Sequence, residues 1–386
     1  MSNKKIIDYI KLLYGNEDIT LLHKPVFLGN EKKYLEECID TTYISSVGKF
    51  VNQFEDMTAN YIGSKYAIAT VNGTSALHIA LLLSGVNPDD EVITQALTFV
   101  ATANAIKHAN ANPIFIDVDH ATMGMSPQKL EDWIVENTFK KLNSKTKKND
   151  LINKVTKKRI AAIVPMHTLG HPCMIDKIVE LGNKFNIPVI EDSAESLGSV
   201  YKDKHTGTFG LMGIFSYNGN KTITAGGGGM IVTNNEQIAN KAKHITTTAK
   251  ISHKWNYRHD EIGYNYRLTN LNAAVGVAQM ENIDKIITNK RETAQIYKDF
   301  FNKLGIEFFT EHKNSLSNYW LNSILLDNKN ERDSFLQYSN DNNILSRPIW
   351  IPMNKLKMFK DCQVGNLDNT KYFEDRAVSI PSGYRI

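Results

Sequence analysis

Short apolar runs alternate with amphipathic or polar segments along most of the chain. Each run is bounded by turn-forming or charged residues, as is typical of a buried strand. The clearest runs are residues 66–71, 113–118, 160–165 and 187–190. Because these runs recur between segments of helical pattern, we expect a mostly parallel sheet flanked by helices. The pattern therefore predicts an α/β protein.

The two ends of the chain differ from this middle part. Ile6, Ile7 and Ile10 lie near helical spacing, so a short amphipathic helix is predicted at the start. After residue 283 a charged helical pattern precedes one apolar run at residues 319–326, which is predicted to be a strand. We therefore expect three parts: an N-terminal segment (1–25) that packs on the small domain, a large domain (26–283) and a smaller C-terminal α+β domain (284–386).

Composition narrows the class of protein. With 386 residues, of which 42% are hydrophobic, the chain can bury a large core. Its net charge of +4 requires neither nucleic acid nor a membrane as partner, and no run is long enough to span a bilayer. The basic residues 140–159 are interpreted as solvated surface, with RNA binding the less favoured alternative. Three dispersed cysteines indicate neither disulfides nor zinc, which suits a reducing cytoplasm.

The stretch at residues 188–232 contains the strongest candidate chemistry. Asp192 follows the apolar run 187–190, so it is expected on the ligand side of the sheet, and Lys221 follows a polar turn. A lysine can act as a nucleophile toward aldehydes, and a buried aspartate can hold a pyridinium nitrogen protonated. The pair therefore fits a pyridoxal 5′-phosphate (PLP) site. Spacing alone leaves open a capping aspartate and a solvated surface lysine.

A second candidate feature is the segment N-G-T-S-A-L-H at residues 72–78, which turns from a predicted strand into a predicted helix. Free backbone N–H groups, two hydroxyls and the positive end of a helix dipole make such a turn suitable for an anion. The alternative is an ordinary N-cap without a ligand.

Two other patterns suggest different cofactors. The glycines at residues 226–229 lead into a strand rather than a helix, which argues against a dinucleotide fingerprint. His167 and His171 are four residues apart, but Gly170 and Pro172 break the helix that would place both on one face. We therefore expect a turn at this position and no metal.

Several ordered motifs extend these local patterns: E-D-S-A-E-S-L-G-S, G-T-F-G, F-S-Y-N-G-N-K-T-I-T-A-G-G-G-G-M-I-V, N-G-T-S-A-L-H and G-Y-N-Y-R-L. Together they resemble the sugar nucleotide aminotransferases of the DegT/StrS family, from about residue 30 to about residue 381. The resemblance implies a fold type I PLP-dependent transferase with a mostly parallel sheet of the seven-stranded type. It also implies a cytoplasmic homodimer with active sites at the interface.

The resemblance assigns roles to the residues of the matching motifs. Lys221 would carry PLP covalently, and Asp192 would pair with the pyridine nitrogen. Glu195 would lie near the ring hydroxyl, and Phe99 would stack on the ring, although a core phenylalanine is the alternative. The implied phosphate-binding residues are Gly73, Thr74, Ser75 and Ser216, with Asn265 from the neighbouring subunit.

Substrate-binding candidates rest on the same resemblance. Arg267 in the motif G-Y-N-Y-R-L is suited to bind a carboxylate or phosphate, and a structural salt bridge is the equal alternative. Arg347 in R-P-I-W lies where the family has its sugar site, and His167 belongs to a turn near that site.

The implied reaction has two halves. L-glutamate would leave its amino group on the cofactor, giving pyridoxamine 5′-phosphate and 2-oxoglutarate, and the amine would pass to a ketone of a nucleotide sugar. Narrower likeness, including Y-I-S-S-V-G-K-F-V and T-L-G-H-P, points to C4 of UDP-4-keto-6-deoxy-N-acetylglucosamine, on routes to bacillosamine and legionaminic acid. Alternatives are C3 or C4 amination of a dTDP- or GDP-linked sugar, or a non-catalytic regulatory protein.

Two further expectations come from the family pattern. Its dehydratase branch has histidine in place of the lysine, so Lys221 argues against dehydration. Members usually continue into a last helix beyond the segment P-S-G at residues 381–383, so we expect the chain to be truncated there.

Overall fold

The computed structural model describes residues 3–143 and 149–385. Its α-helices are α1 (Asn3–Leu13), α2 (Glu31–Asp40), α3 (Lys49–Ile62), α4 (Gly73–Leu83), α5 (Val100–His108), α6 (Pro127–Asn137), α7 (Ile175–Phe185), α8 (Glu236–Thr246), α9 (Asn270–Met280), α10 (Ile283–Leu304), α11 (Lys329–Asp341) and α12 (Asp368–Arg376). Short 3₁₀ turns occur at Thr168–Gly170, Met353–Lys355 and Lys357–Phe359. None of these helices has the length and apolar composition that crossing a membrane requires.

The strands in the described part of the chain fall into several sheets. They are β1 (Tyr66–Thr70), β2 (Glu91–Gln95), β3 (Asn112–Ile116), β4 (Thr138–Leu142), β5 (Asn149–Asn153), β6 (Arg159–Val164), β7 (Ile190–Asp192), β8 (Val200–Tyr201), β9 (Lys204–His205), β10 (Met212–Ser216), β11 (Gly229–Thr233), β12 (Lys250–Ile251), β13 (Arg258–His259), β14 (Glu307–Phe308), β15 (Ser315–Leu316), β16 (Asn322–Leu325), β17 (Arg347–Pro348) and β18 (Ala377–Ile380).

The central sheet has the order β1-β11-β10-β7-β6-β2-β3. The bridges Ile163 to Val189 and Met166 to Asp192 join its two parts, β1-β11-β10-β7 and β6-β2-β3. The pairs within β10-β7-β6-β2-β3 are parallel, whereas β11 is antiparallel to both β1 and β10. The prediction of a mostly parallel α/β sheet is confirmed.

Helices cover both faces of this sheet. On one face, α4 is buried nearly all round because it lies between the sheet and the helices α5 and α8. On the other face, α3 packs on α9, where Phe54 lies against Gly276. A Cβ atom added at Gly276 would lie 2.7 Å from Phe54 Cζ, so this close approach of two helices requires glycine.

The basic stretch at residues 140–159 forms part of the hairpin β4-β5 at one edge of β6. On β4 the side chains after Thr138 are exposed, whereas Leu151 and Asn153 on β5 are buried. Residues 144–148 lie outside the described part of the chain, so the prediction of a solvated surface can be compared with the structure only for the rest.

The C-terminal region forms a second, antiparallel sheet with the order β14-β16-β18-β17. Its core contains Tyr297 and Phe301 of α10, and Ile6, Ile7 and Ile10 of α1 pack in the same apolar cluster. Helix α1 therefore lies against the small C-terminal sheet and α10. The domain boundaries after residues 25 and 283 stay predictions.

Candidate active site

A cavity of about 230 Å³ opens where β7, β10 and the N-terminus of α4 meet. The carboxyl ends of neighbouring parallel strands meet at one edge of a sheet, which is where ligands bind in open α/β folds. Seven of the sequence-predicted site residues line this cavity: Gly73, Thr74, Phe99, Asp192, Glu195, Ser216 and Lys221. A larger surface pocket, about 650 Å³ beside Val179 and Phe209, is lined by no ionisable side chain.

Asp192 is the last residue of β7 and lies at the buried base of the cavity. Its Oδ2 atom accepts a 2.7 Å hydrogen bond from the Thr102 hydroxyl, and Oδ1 accepts a 3.2 Å bond from Ala194 N–H. Burial raises the pKa of Asp192, while the bond from Thr102 lowers it in part. The carboxylate is thus held in one orientation, and a cationic group in the cavity would favour its charged form.

Lys221 lies in the loop between β10 and β11, and its side chain is 12% exposed. Its Nζ atom is 3.1 Å from Glu195 Oε1, and Glu195 Oε2 accepts a 2.9 Å bond from Leu169 N–H. Burial raises the pKa of Glu195 to about 7, although the Lys221 ammonium opposes this shift. The amine therefore enters the cavity beside a carboxyl group that can titrate near neutrality.

The predicted anion cradle at residues 72–78 also borders the cavity that Asp192, Glu195 and Lys221 line. The Asn72 side chain caps α4 by accepting a 2.7 Å bond from Ser75 N–H, which leaves the first N–H groups of the helix, on Gly73 and Thr74, at the cavity wall. Ser216, at the end of β10, contributes a hydroxyl to the same wall. A Cβ added at Gly73 would lie 3.0 Å from Ser216 Cβ, so glycine lets the helix start and the strand end come together.

Of the five predicted residues outside the cavity wall, three are Ser75, Asn265 and Arg347. Ser75 lies beneath the cap that Asn72 makes. Asn265 is exposed, and in the described part of the chain its only recorded pairing is a backbone bridge to Thr247. Arg347 is also exposed and donates a 2.9 Å bond to Asn340 Oδ1. For Asn265 and Arg347 the assigned roles stay predictions.

Arg267 has a partner within this chain. Its Nη1 atom is 3.0 Å from Glu55 Oε1, and both side chains are buried. The geometry favours the structural salt bridge, the second of the two interpretations made from the sequence.

The placement of His167 corrects the sequence prediction of a substrate-binding residue. Its side chain has no exposed surface, and its Nε2 atom is 3.1 Å from Glu191 Oε2. Its Nδ1 atom accepts a 3.2 Å bond from Cys173 N–H, and its own backbone N–H donates to Asp192 O. His167 therefore supports the strand end that presents Asp192 and cannot touch a substrate. His171 instead packs against the rings of Phe309 and Tyr319.

Sequence reasoning missed three residues that contact Asp192, Lys221 or Glu195. Thr102 binds Asp192, the ring centroid of Trp320 lies 4.0 Å from Lys221 Nζ, and Asn318 donates to the backbone of Glu195. Thr102 lies in a helical pattern, and the other two lie about 100 residues after Lys221, so no local pattern relates them to the site.

The cavity fits the cofactor that the sequence motifs suggest. A buried carboxylate, an amine and an anion cradle closed by the glycine at position 73 face one space. Phe99 lines the same space with a ring that is 45% exposed. An aldehyde, a basic ring nitrogen and a phosphate each find a complementary group there.

Comparison with known proteins relates the chain to characterised relatives. Residues 28–386 match the model of the DegT/DnrJ/EryC1/StrS aminotransferase family. A protein of Escherichia coli O157:H7 named GDP-perosamine synthase is 41% identical over 340 residues, covering 88% of this chain and 87% of that protein. The GDP-perosamine synthase of Vibrio cholerae is 36% identical over 364 residues, covering 94% and 93%.

A solved structure shows the same fold. The aminotransferase PseC of Helicobacter pylori, described as involved in the biosynthesis of pseudoaminic acid, superposes with a TM-score of 0.83 at 23% identity. The match covers 94% of this chain and 93% of PseC.

Proposed function

Because the chain belongs to the DegT/DnrJ/EryC1/StrS aminotransferase family, whose members use PLP, we propose that it aminates a ketone of a nucleotide-linked sugar, with L-glutamate as the amino donor. The observation that carries the proposal is the joint position of Lys221 and Asp192 on one cavity wall, with an anion cradle opposite. A regulatory protein on this scaffold would need neither the amine nor the buried carboxylate.

Each end of the cavity has a separate task in this proposal. PLP, when bound, supplies an electron-withdrawing ring that makes the donor's Cα–H bond acidic. Asp192 would hold a proton at the pyridine nitrogen, and the bond from Thr102 would keep the carboxylate in the orientation this needs. The N–H groups of Gly73 and Thr74 and the Ser216 hydroxyl would bind the phosphate.

Lys221 would be the proton carrier. Its amine would form the covalent link to PLP and, when free, would be placed to take the proton from the donor's Cα and to return it at the cofactor's C4′. The same amine acts in reverse when the sugar ketone is the acceptor. Glu195, 3.1 Å away, holds the amine on the cavity side of its loop.

The identity of the sugar is the finer part of the proposal. The two relatives named GDP-perosamine synthase match nearly the full chain, so they favour a GDP-linked 4-keto-6-deoxy sugar as acceptor. The UDP-linked sugar expected from local motifs is the second candidate, supported by the resemblance of residues 23–31, 43–51, 93–105 and 168–172.

The proposal includes a homodimer, since Asn265 is exposed in the single chain and lies outside the cavity wall. In the proposed dimer, Asn265 of the partner subunit would bind the phosphate. Mixing Lys221→Ala and Asn265→Ala chains tests this arrangement, because a mixed dimer contains one site with both native residues. Activity regained on mixing supports the shared site, whereas an active Asn265→Ala chain contradicts it.

Absorption spectroscopy tests the proposed function itself. With PLP bound, L-glutamate should convert the visible band to a near-ultraviolet band, and the acceptor sugar should restore the visible band. We expect the GDP-linked 4-keto-6-deoxy sugar to do so at a lower concentration than the UDP- and dTDP-linked sugars. A protein that binds PLP but does not respond to glutamate would contradict the aminotransferase proposal, and preference for the UDP sugar would contradict the finer one.

A further inference from the structure

The segment at residues 317–321 belongs to the C-terminal region and lies against the loops that contain Glu195 and Lys221. Asn318 is buried there, and its Nδ2 atom lies within hydrogen-bond distance of three acceptors: Glu195 O at 2.9 Å, Leu197 O at 2.9 Å and Thr222 Oγ1 at 3.0 Å. One amide therefore joins the loop of Glu195 to the residue after Lys221.

The turn beneath Asn318 is shaped to receive it. Gly170 has a φ of +95°, and a Cβ added there would lie 2.0 Å from Asn318 Oδ1. The neighbouring Leu169 N–H is the group that binds Glu195 Oε2. The same turn therefore fixes the Glu195 carboxylate and accommodates Asn318.

Trp320 completes the contact from the other side. Its Nε1–H donates a 2.6 Å bond to the carbonyl of Asn220, the residue before Lys221. The ring centroid lies 4.0 Å from Lys221 Nζ, so the ammonium lies between an aromatic face and the Glu195 carboxylate. The backbone on both sides of Lys221 and the amine itself are thus held by one short segment.

This segment is anchored at its back. Lys290 of α10 is fully enclosed, and its Nζ atom donates to Trp320 O at 3.2 Å and to Ser382 O at 2.6 Å. The same Nζ lies 2.9 Å from His23 Nε2 in the N-terminal segment. Movement of Trp320 would therefore disturb contacts from both ends of the chain.

We propose that Trp320 and Asn318 are positioning residues for Lys221 and Glu195. Trp320 fixes the direction and exposure of the Lys221 amine, and Asn318 fixes the distance between the loops of Lys221 and Glu195. The proposal deepens the proposed function and rests on it. An ordinary core tryptophan would pack equally well without meeting the amine with its ring face or binding the carbonyl that precedes it.

Two substitutions separate the parts of this contact. Trp320→Leu removes the ring and the donor, and Trp320→Phe keeps an aromatic face but loses the donor. Trp133→Phe is the matched control, because Trp133 is also buried but packs among residues of α6 and α7. Thermal melting of each variant shows whether the chain still folds.

The first measurement needs no cofactor. Acetic anhydride labelling of the cofactor-free chain, read by mass spectrometry, gives the reactivity of Lys221 relative to the exposed Lys65. Because Trp320 covers one side of the amine, we expect Trp320→Leu to raise the relative labelling of Lys221 several-fold. Trp320→Phe and Trp133→Phe should leave it near the native value.

The second measurement uses the PLP-loaded protein and the half-reaction with L-glutamate. Trp320→Leu should lower the rate constant by about 10- to 100-fold with the half-saturating glutamate concentration nearly unchanged, because the amine is misplaced. Trp320→Phe should lower it by about 3- to 10-fold through the lost hydrogen bond. Induced circular dichroism of the bound cofactor should change with Trp320→Leu and not with Trp133→Phe.

A folded Trp320→Leu chain whose labelling and rate constant match those of Trp133→Phe would overturn the proposal. If Trp320→Leu does not fold, Trp320→Phe decides, and an unchanged rate constant and dichroism would then overturn it. Failure of the proposed function would appear differently, as a native protein that binds PLP but does not react with glutamate. The labelling comparison still tests the role of Trp320 in that case.

Discussion

The two catalytic side chains of the cavity are held in different ways. Asp192 ends a strand of the central sheet, and its partners Thr102 and Ala194 belong to the same domain. Lys221 lies in a loop, and its amine is held by Glu195 and by Trp320, which arrives from the C-terminal region. Regular secondary structure thus fixes Asp192, the proposed partner of the ring nitrogen, whereas contacts between distant loops fix Lys221, the proposed proton carrier.

The two acids also differ in their electrostatic partners. Burial raises the pKa of both Asp192 and Glu195. Glu195 already has an ammonium 3.1 Å away, whereas the hydrogen-bond partners of the Asp192 carboxylate among the described residues are one hydroxyl and one N–H. The Asp192 carboxylate is therefore suited to pair with a cationic group of the ligand, whereas the Glu195 carboxylate is already paired with the Lys221 ammonium.

The largest effect is expected from substitution of Lys221, the side chain that loops hold in place. Lys221→Ala removes the only amine on the described cavity wall, and with it both the covalent link and the proton carrier, so amination should fall by at least about 10⁴-fold. Sugar amination followed by mass spectrometry measures this loss, with Lys65→Ala as a surface control. Substantial turnover by Lys221→Ala would contradict the role of Lys221 as proton carrier, and with it the comparison between Asp192 and Lys221.

The sheet side comes next. Asp192→Asn keeps the shape of the side chain but removes the negative charge opposite the ring nitrogen. Losing one partner of a buried charge pair costs about 3–5 kcal/mol, so the glutamate half-reaction should slow by about 10²- to 10⁴-fold. Stopped-flow absorbance gives the rate constant. A nearly native rate would show that the carboxylate does not face the ring nitrogen.

Glu195 allows a comparison through pH. Burial raises its pKa in the folded chain from the ordinary value of 4.5 to about 7, so the stability it contributes is present below about pH 4.5 and is lost as the pH rises toward 7. The Glu195→Gln chain lacks this titrating group. Its free energy of unfolding should therefore change less between pH 5 and pH 7.5 than that of the native chain, by about 2–3 kcal/mol. Urea unfolding of the cofactor-free chains measures it, and parallel profiles would contradict the raised pKa.

The same division explains which parts of the site the sequence predicts. Asp192 and the anion cradle at residues 72–78 each follow a short apolar run. Both can be predicted because a strand end and a helix start are visible in the sequence. The sequence pattern predicts one strand at residues 319–326, yet β16 begins at Asn322 and Tyr319 has a φ of +47°. That left-handed residue turns the chain so that Trp320 reaches Lys221, and no local periodicity encodes this. His167 was misassigned because a turn near the site does not reveal which way its side chain points.

The smallest predicted effect concerns the support of Asp192. Thr102→Val keeps the shape of the side chain but removes the hydroxyl that binds Oδ2, and this bond lowers the pKa of Asp192. The pKa should therefore rise further, and the acidic limb of the pH profile of the glutamate half-reaction should move to higher pH. Because the bond from Ala194 N–H stays, we expect only about a tenfold loss of rate at neutral pH.

Thr94→Val is the control for this substitution, because its equally buried hydroxyl binds Val164 O and not the carboxylate. It should leave the pH profile in place, even if it lowers stability. A shift of the same size in both variants would mean that the profile reports general loosening of the sheet. A shift in Thr102→Val alone would show that Thr102 acts through the charge of Asp192, whereas the contacts around Lys221 act through the placement of its amine.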